Sequence, residues 1–245
     1  MDMARYIGSK WRKTVAIRKN KYLTRFVPET ARLTKTSLRR QLTRYRMVYV
    51  KPEYGRHGNG VMRVEKTSSG YRYQLGNTIR NFAAFDSLFK GITTATKRKR
   101  YLVQKGIHLL KHNGRFFDIR VMTQSPAPGK WVTTGMIGRV AAKRKIVTNY
   151  HNGGKIVTAE RLLRPYTRKV SVKLALLSKL GVLAGRRMSA AFPGVRVIGL
   201  DVAIDKSLKP WLLEVNTAPD PYIFRKHPDP RIFRRIMRLA RTYNR

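Results

Sequence analysis

The sequence predicts an α+β fold with two antiparallel sheets, divided near residue 101. Three observations carry that prediction. Segments with alternating apolar and polar residues come in neighbouring pairs joined by short turn sequences, as antiparallel strands do. Longer stretches with apolar residues at helical spacing stand between and after those pairs. The chain has 245 residues, an apolar fraction of 42% and three Trp, enough for one large domain or two small ones with real cores. No internal repeat, low-complexity tract or long linker interrupts it.

Residues 1–30 are a basic segment with scattered aromatics. It ends at PET (28–30), a turn leading into a helix over 36–46 capped by Thr36 or Ser37. The strand MVYVKP (47–52) is stopped by Pro52, and the Gly-rich loop EYGRHGNG (53–60) follows. VMRVEK (61–66) and YRYQL (71–75) read as a hairpin, residues 78–100 as helix, and YLVQKGI (101–107) as an apolar strand. FFDIRVMTQ (116–124) and KWVTTGMIGRVA (130–141) flank the hairpin loop SPAPG. Leu163, Val170, Leu174, Leu177, Ala184 and Met188 have helical spacing within 160–191. VRVIGLDVAID (195–205) and PWLLEVN (210–216) form a last hairpin, and IFRRIMRLARTY (232–243) an amphipathic helix.

Charge is the outlier of the composition. Lys and Arg number 54 against 12 Asp and Glu, for a formal net charge of +42. Such a surface draws polyanions. The basic residues are spread over the chain and form only short runs, such as KRKR at 97–100. Neither a zinc-finger spacing nor an RNP-like aromatic signature accompanies them. A diffuse cationic coat with non-specific polyanion binding is therefore favoured over a dedicated nucleic-acid module. Absence of cysteine excludes disulfides, thiolate metal sites and thiol catalysis. Neither a signal-peptide-like run nor a membrane-span-length apolar stretch occurs, so a soluble, cytoplasmic protein is expected.

Scarce carboxylates inside apolar strands are conspicuous, and Asp118, Asp201 and Glu214 are such cases. In VIGLDVAID, Ile198, Leu200, Val202 and Ile204 point one way and Asp201 the other. In PWLLEVN, Trp211, Leu213 and Val215 are expected on one face, and Leu212, Glu214 and Asn216 on the opposite one. A four-residue loop, Lys206–Lys209, then sets Asp201 directly opposite Glu214, with Asn216 one step along. Opposed carboxylates repel. Either two of the many arginines match them or a divalent cation does. Asn216, a neutral oxygen donor, and the turn TAPDP favour a cation, and oxygen ligands suit Mg²⁺ or Mn²⁺.

Lys51 ends a strand before a loop containing Gly55, Gly58 and Gly60. The arrangement suits phosphate, although a plain surface turn has the same signature. It is not a Walker A loop. Asp118 and Arg120 share the polar face of a strand whose partner carries Arg139. The arginines either hold phosphate and orient a substrate carboxylate, or form a structural pair with Asp118. VTNYHNGGK (147–155) adds Asn149 and another Gly pair.

In this order, YVKP with its Gly-rich loop, LVQKGI, FDIRV, TNYHNGG, GLDVAID and WLLEVN resemble the ATP-grasp superfamily over about residues 28–225. FVPET, VYVKP, GKW after FDIRV and the TN…GG element look most like the YheC/YheD endospore-coat-associated family, with RimK-type glutamate ligases as more distant relatives. The resemblance implies two α+β lobes with antiparallel sheets holding ATP between them. It implies a basic segment at 1–30, one lobe at 31–103, and the hinge with the second lobe at 104–245. Lys51, with Gly58 and Gly60, would contact phosphates. Gln104, Lys105, Gly106 and Ile107 would form the hinge, whose backbone at Lys105 and Gly106 meets adenine. Asp118 would lie near the ribose and Asn149 near the phosphates, while Asp201, Glu214 and Asn216 hold Mg²⁺ or Mn²⁺. Arg120 and Arg139 would stabilise charge on the transferring phosphoryl group.

The family chemistry is ligation: a carboxylate attacks the γ-phosphate and an amine displaces the acylphosphate. The substrates expected are a carboxylate and an amine, the acceptor a peptide or protein among the candidates. A hinge Gln104 stands where relatives often carry Glu, and the N-terminal α/β domain of many ATP-grasp ligases has no counterpart before Lys51. Two other functions therefore compete: an ATP-binding, endospore-coat-associated protein with little or no catalysis, and a polyanion binder on the same scaffold.

Overall fold

The computed structural model describes residues 6–55, 58–143, 145–146, 148 and 153–242. Helix α1 (Lys10–Arg18) starts at Ser9, whose side chain accepts from Arg12 N, and α2 (Lys21–Thr24) starts at Asn20 in the same way. Strand β1 (Thr30–Arg32) leads into α3 (Lys35–Tyr45). Its N-cap is Thr34, not Thr36 or Ser37 as expected, because Thr34 and Ser37 form a capping box in which each side chain accepts from the other's backbone N–H.

The first sheet has the order β1-β6-β2-β3-β4-β5, with β2 (Met47–Pro52), β3 (Met62–Thr67), β4 (Gly70–Leu75), β5 (Thr78–Phe82) and β6 (Tyr101–Lys105). Residues 78–100 are not one helix. A two-residue turn at Gly76 and Asn77 carries the chain into β5, with Gly76 at φ 61, and only Phe85–Thr96 is helical (α4). Helices α3 and α4 bury Leu38, Leu42, Leu88 and Ile92 against Val48, Val50, Met62 and Val64.

The second sheet has the order β10-β9-β8-β11-β12. Its members are β8 (Arg115–Ala127), β9 (Lys130–Val140), β10 (Lys155–Val157), β11 (Val197–Ile204) and β12 (Pro210–Asn216), with a two-residue strand β7 (Lys111–His112) paired to β8. Pro165 separates α5 (Ala159–Leu163) from α6 (Val170–Ala191), dividing the expected 160–191 helix. Helices α1, α2, α5 and α6 cover one face, where Ile17, Leu23, Phe26, Leu177, Leu180 and Ala184 join Ile119, Val121, Ile198 and Leu200. Residues 7–26 thus belong to the core of the second lobe. A helical turn at Tyr222–Lys226 and helix α7 (Pro230–Ala240) cover one end of the opposite face.

The β11–β12 hairpin reaches the expected pairing by another route. Ile204 faces Pro210, so five residues, not four, form the turn, and a bulge at Leu213 restores Asp201 to a position opposite Glu214. The bulge also reassigns the faces: Leu212 and Val215 enter the core, whereas Trp211 and Leu213 do not. Asp205 explains the longer turn. Its carboxylate accepts from Ser207, Lys209 and the Trp211 indole.

Candidate functional site

The uncovered face of the second sheet looks across a cleft at the end of β2. The cavity between them has a volume of about 640 Å³. Arg120, Asp201 and Glu214 form one cross-strand row over β8, β11 and β12. Alternation aims them at the cleft, since their neighbours Ile119, Val121, Leu200 and Val202 fill the core behind.

Asp201 is gripped through Nε and Nη2 of Arg120, and Arg139 Nη2 lies 3.1 Å from its Oδ2. Burial alone would raise the Asp201 pKa, but the two guanidinium charges and their hydrogen bonds outweigh it and hold it at about 2. Asn216 Nδ2 stands 3.3 Å from the same carboxylate. Arg139 in turn grips Asp118 through both its Nε, at 2.8 Å, and Nη2, and Thr148 donates to Asp118 at 2.7 Å. Asp118 is 1% exposed. Its oxygens are thus engaged by Arg139 and Thr148, the arrangement of a structural pair.

Lys51 enters from the first lobe. Its Nζ donates to Gln104 Oε1 at 2.8 Å and to the carbonyl of Leu213, the bulge residue, at 3.0 Å. Gln104 is oriented by donating to Thr30 Oγ1 at 2.9 Å. Burial, opposed by the Glu214 charge and reinforced by Lys10 and Lys13, lowers the Lys51 pKa to about 8. Gly58 lines the cleft. Gly60 packs behind the loop, where a Cβ would lie 2.7 Å from the Tyr101 hydroxyl. Lys105 and Ile107 line the cleft as well. The N–H groups of Lys105 and Gly106 are committed to the carbonyls of Glu29 and Met47. A Cβ on Gly106 would fall 2.7 Å from the Met47 carbonyl oxygen, a fixed backbone atom, so glycine is required there. Asn149 lies outside the described residues.

Sequence reasoning missed two residues. Lys10 and Lys13 of α1 are buried and line the cleft, with Nζ 3.6 Å and 4.0 Å from Glu214 Oε1. No sequence signal marked them: apolar and basic residues are spread around α1, and the face that they share with Ala16 and Ile17 is defined only by its burial. Burial, opposed by Glu214 and reinforced by Lys10, lowers the Lys13 pKa to about 8.

A family model described as YheC/D like ATP-grasp matches residues 3–245. The chain belongs to the YheC/D-like ATP-grasp family. A relative in that family, the endospore coat-associated protein YheD of Bacillus subtilis (strain 168), is 27% identical over 228 residues. That match covers 90% of this chain and 50% of YheD, so the chain spans about half the length of this relative. Solved structures carry the same ATP-grasp fold. D-cycloserine synthetase DcsG matches with a TM-score of 0.60 at 12% identity, over 96% of this chain and 70% of its own. The VanG D-Ala:D-Ser ligase from Enterococcus faecalis matches with a TM-score of 0.59 at 13% identity, over 96% and 61%. The C-terminal domain of K. lactis Pby1, an ATP-grasp enzyme interacting with the mRNA decapping enzyme Dcp2, gives 0.53 at 16% identity, over 98% and 73%. Among the described residues, no helix of this family member is long and apolar enough to cross a membrane.

Proposed function

We propose that the chain binds ATP with a divalent cation between its two lobes and uses it to join a carboxylate to an amine through an acylphosphate. The observation that supports this most is the convergence of Lys51 from the first lobe with Asp201, Glu214 and Asn216 from the second. In this reading Lys51 binds phosphate oxygens. The adenine lies toward Ile107, recognised by backbone groups other than the committed N–H groups of Lys105 and Gly106. Arg120 places positive charge beside the transferring phosphoryl group. Arg139 acts as a positioning residue, since it holds both Asp118 and Asp201.

The donor set fits a hard cation: two carboxylates and an amide on one sheet face. Both carboxylates already have cationic partners, Asp201 two arginines and Glu214 two lysines. The fit therefore calls for an anion that takes over some of those cations, and a polyphosphate is one. Mg²⁺ or Mn²⁺ bound there would neutralise phosphate charge. The carboxylate substrate attacks the γ-phosphorus and ADP leaves; the amine then attacks the acyl carbon and phosphate leaves.

The test is nucleotide release with a panel of amino acids and acidic peptides. ADP with phosphate is the expected product. AMP with pyrophosphate would rule out the acylphosphate route. The likeness to YheD favours a second reading, an ATP-binding protein associated with the endospore coat and lacking turnover. It predicts ATP binding with no ADP released under any acceptor.

A further inference from the structure

Helix α1 touches both lobes. At its start, Lys10 N donates to Glu53 O, Ser9 Oγ to Glu53 Oε1 at 2.5 Å, and Lys10 Nζ to Gly55 O at 2.8 Å, all in or beside the Gly-rich loop. Further along, Ala16 and Ile17 lie in the core of the second lobe. Lys10 and Lys13 are thus fixed across the phosphate end of the cleft, both within 4.0 Å of Glu214 Oε1. One carboxylate serves two buried ammonium groups, with Lys51 close by. Buried cations in excess of their counter-charge favour an anion with several charges and several acceptor oxygens. Glu214 is equally constrained, because a divalent cation approaching it meets two ammonium groups first.

We propose that Lys10 and Lys13 are polyphosphate-binding residues that exchange partners. Without phosphate they hold Glu214. With a polyphosphate in the cleft they turn to its terminal oxygens and release Glu214 to the divalent cation. The inference rests on the cleft being a phosphate and metal site, and it adds an order: the metal binds with the phosphate, not ahead of it. The N-terminal helix thereby becomes part of the nucleotide site.

Inorganic tripolyphosphate and Mn²⁺ are the probes, applied separately to the full chain and to a Lys10→Met/Lys13→Met variant. Methionine keeps an unbranched apolar stem for packing. Calorimetry should show tripolyphosphate binding weakened by roughly tenfold per lysine removed. Electron paramagnetic resonance should show Mn²⁺ alone binding more tightly to the variant than to the parent. Glu214→Gln, an independent variant, should bind tripolyphosphate more tightly, because the lysines lose their competing partner. Unchanged tripolyphosphate affinity in the lysine variant, Mn²⁺ affinity that does not rise, or no tightening in Glu214→Gln would each overturn the exchange. Tripolyphosphate has no base and needs no turnover. A parent chain that binds it through these lysines yet ignores ATP would defeat the ligase reading and leave this inference standing.

Discussion

At the scale of single residues, protonation separates the two ends of the site. Lys51 has a pKa of about 8 in the folded chain against 10.5 as the ordinary value. The unfolded chain therefore holds more protons between those values, and stability of the empty protein should rise as pH goes from 8 to 10.5. A bound polyphosphate favours the charged lysine, so binding near pH 8 should take up protons. Calorimetry in buffers of different ionisation enthalpy measures that uptake, and Lys51→Met should diminish it while weakening ATP binding. Asp201 behaves in the opposite sense. Its carboxylate is held at about 2 against 3.8, so its contribution is present above about 4 and lost as pH falls toward 2. Asp201→Asn would deprive buried Arg120 of its carboxylate partner while Arg139 keeps Asp118, and chemical denaturation should show a loss of about 3–5 kcal/mol. The face that Asp201 presents was legible from period-2 alternation in β11, whereas Glu214 came opposite it, with Asn216 alongside, only because the bulge at Leu213 offsets a turn one residue longer than expected. Lys10 and Lys13 were not legible, because lysines on a helix read as a solvated face until something covers it. The structural pairing of Asp118 with Arg139 stood only as one of two options, which alternation could not decide.

At the scale of elements, close backbone approach decides the packing of α6 on the second sheet. A Cβ on Gly185 would lie 2.2 Å from the Trp131 ring, and one on Gly181 would lie 2.5 Å from Thr123 Oγ1. These two glycines, four apart, form a groove in which the sheet's side chains sit. Gly185→Ala should destabilise the fold by roughly 1–3 kcal/mol through overpacking, visible as a lower melting temperature with ATP affinity at 25 °C little changed. Most strands were readable from alternation and their Pro and Gly stops. Strand β5 was not, because its residues are largely exposed and give no period to find. The turn at Asp205–Lys209 was misjudged by one residue, since the Asp205 hydrogen bonds that shape it leave no mark in hydrophobic pattern. The bulge at Leu213 then absorbed the error, and its freed carbonyl became a partner of Lys51.

At the scale of the molecule, a net charge of +42 sets the long-range field. Affinity for a polyanion such as a random oligonucleotide should fall linearly on a log–log plot against salt, with slight sequence preference. Lys51→Met removes one charge of many and should leave that affinity nearly unchanged. If it abolished polyanion and ATP binding together, the polyanion would be occupying the cleft, and the diffuse-coat reading would fail. The two-sheet division was legible in the sequence because β6 completes the first sheet just where the apolar hairpins of the second begin. The bridging course of residues 7–18 was not, since no local pattern encodes a partner two lobes away.

That course has a consequence for biogenesis. Ile7 N donates to Thr217 Oγ1 across 210 positions of sequence, and Ile17, Leu23 and Phe26 lie in a core completed by α6, β11 and β12. Translation delivers these early residues long before their partners. Until Thr217 has left the ribosome, the first helices have no finished surface to dock on, and their apolar side chains stay open to wrong contacts or to chaperones. The cleft is closed at one end by a segment whose partner follows 210 residues later in synthesis.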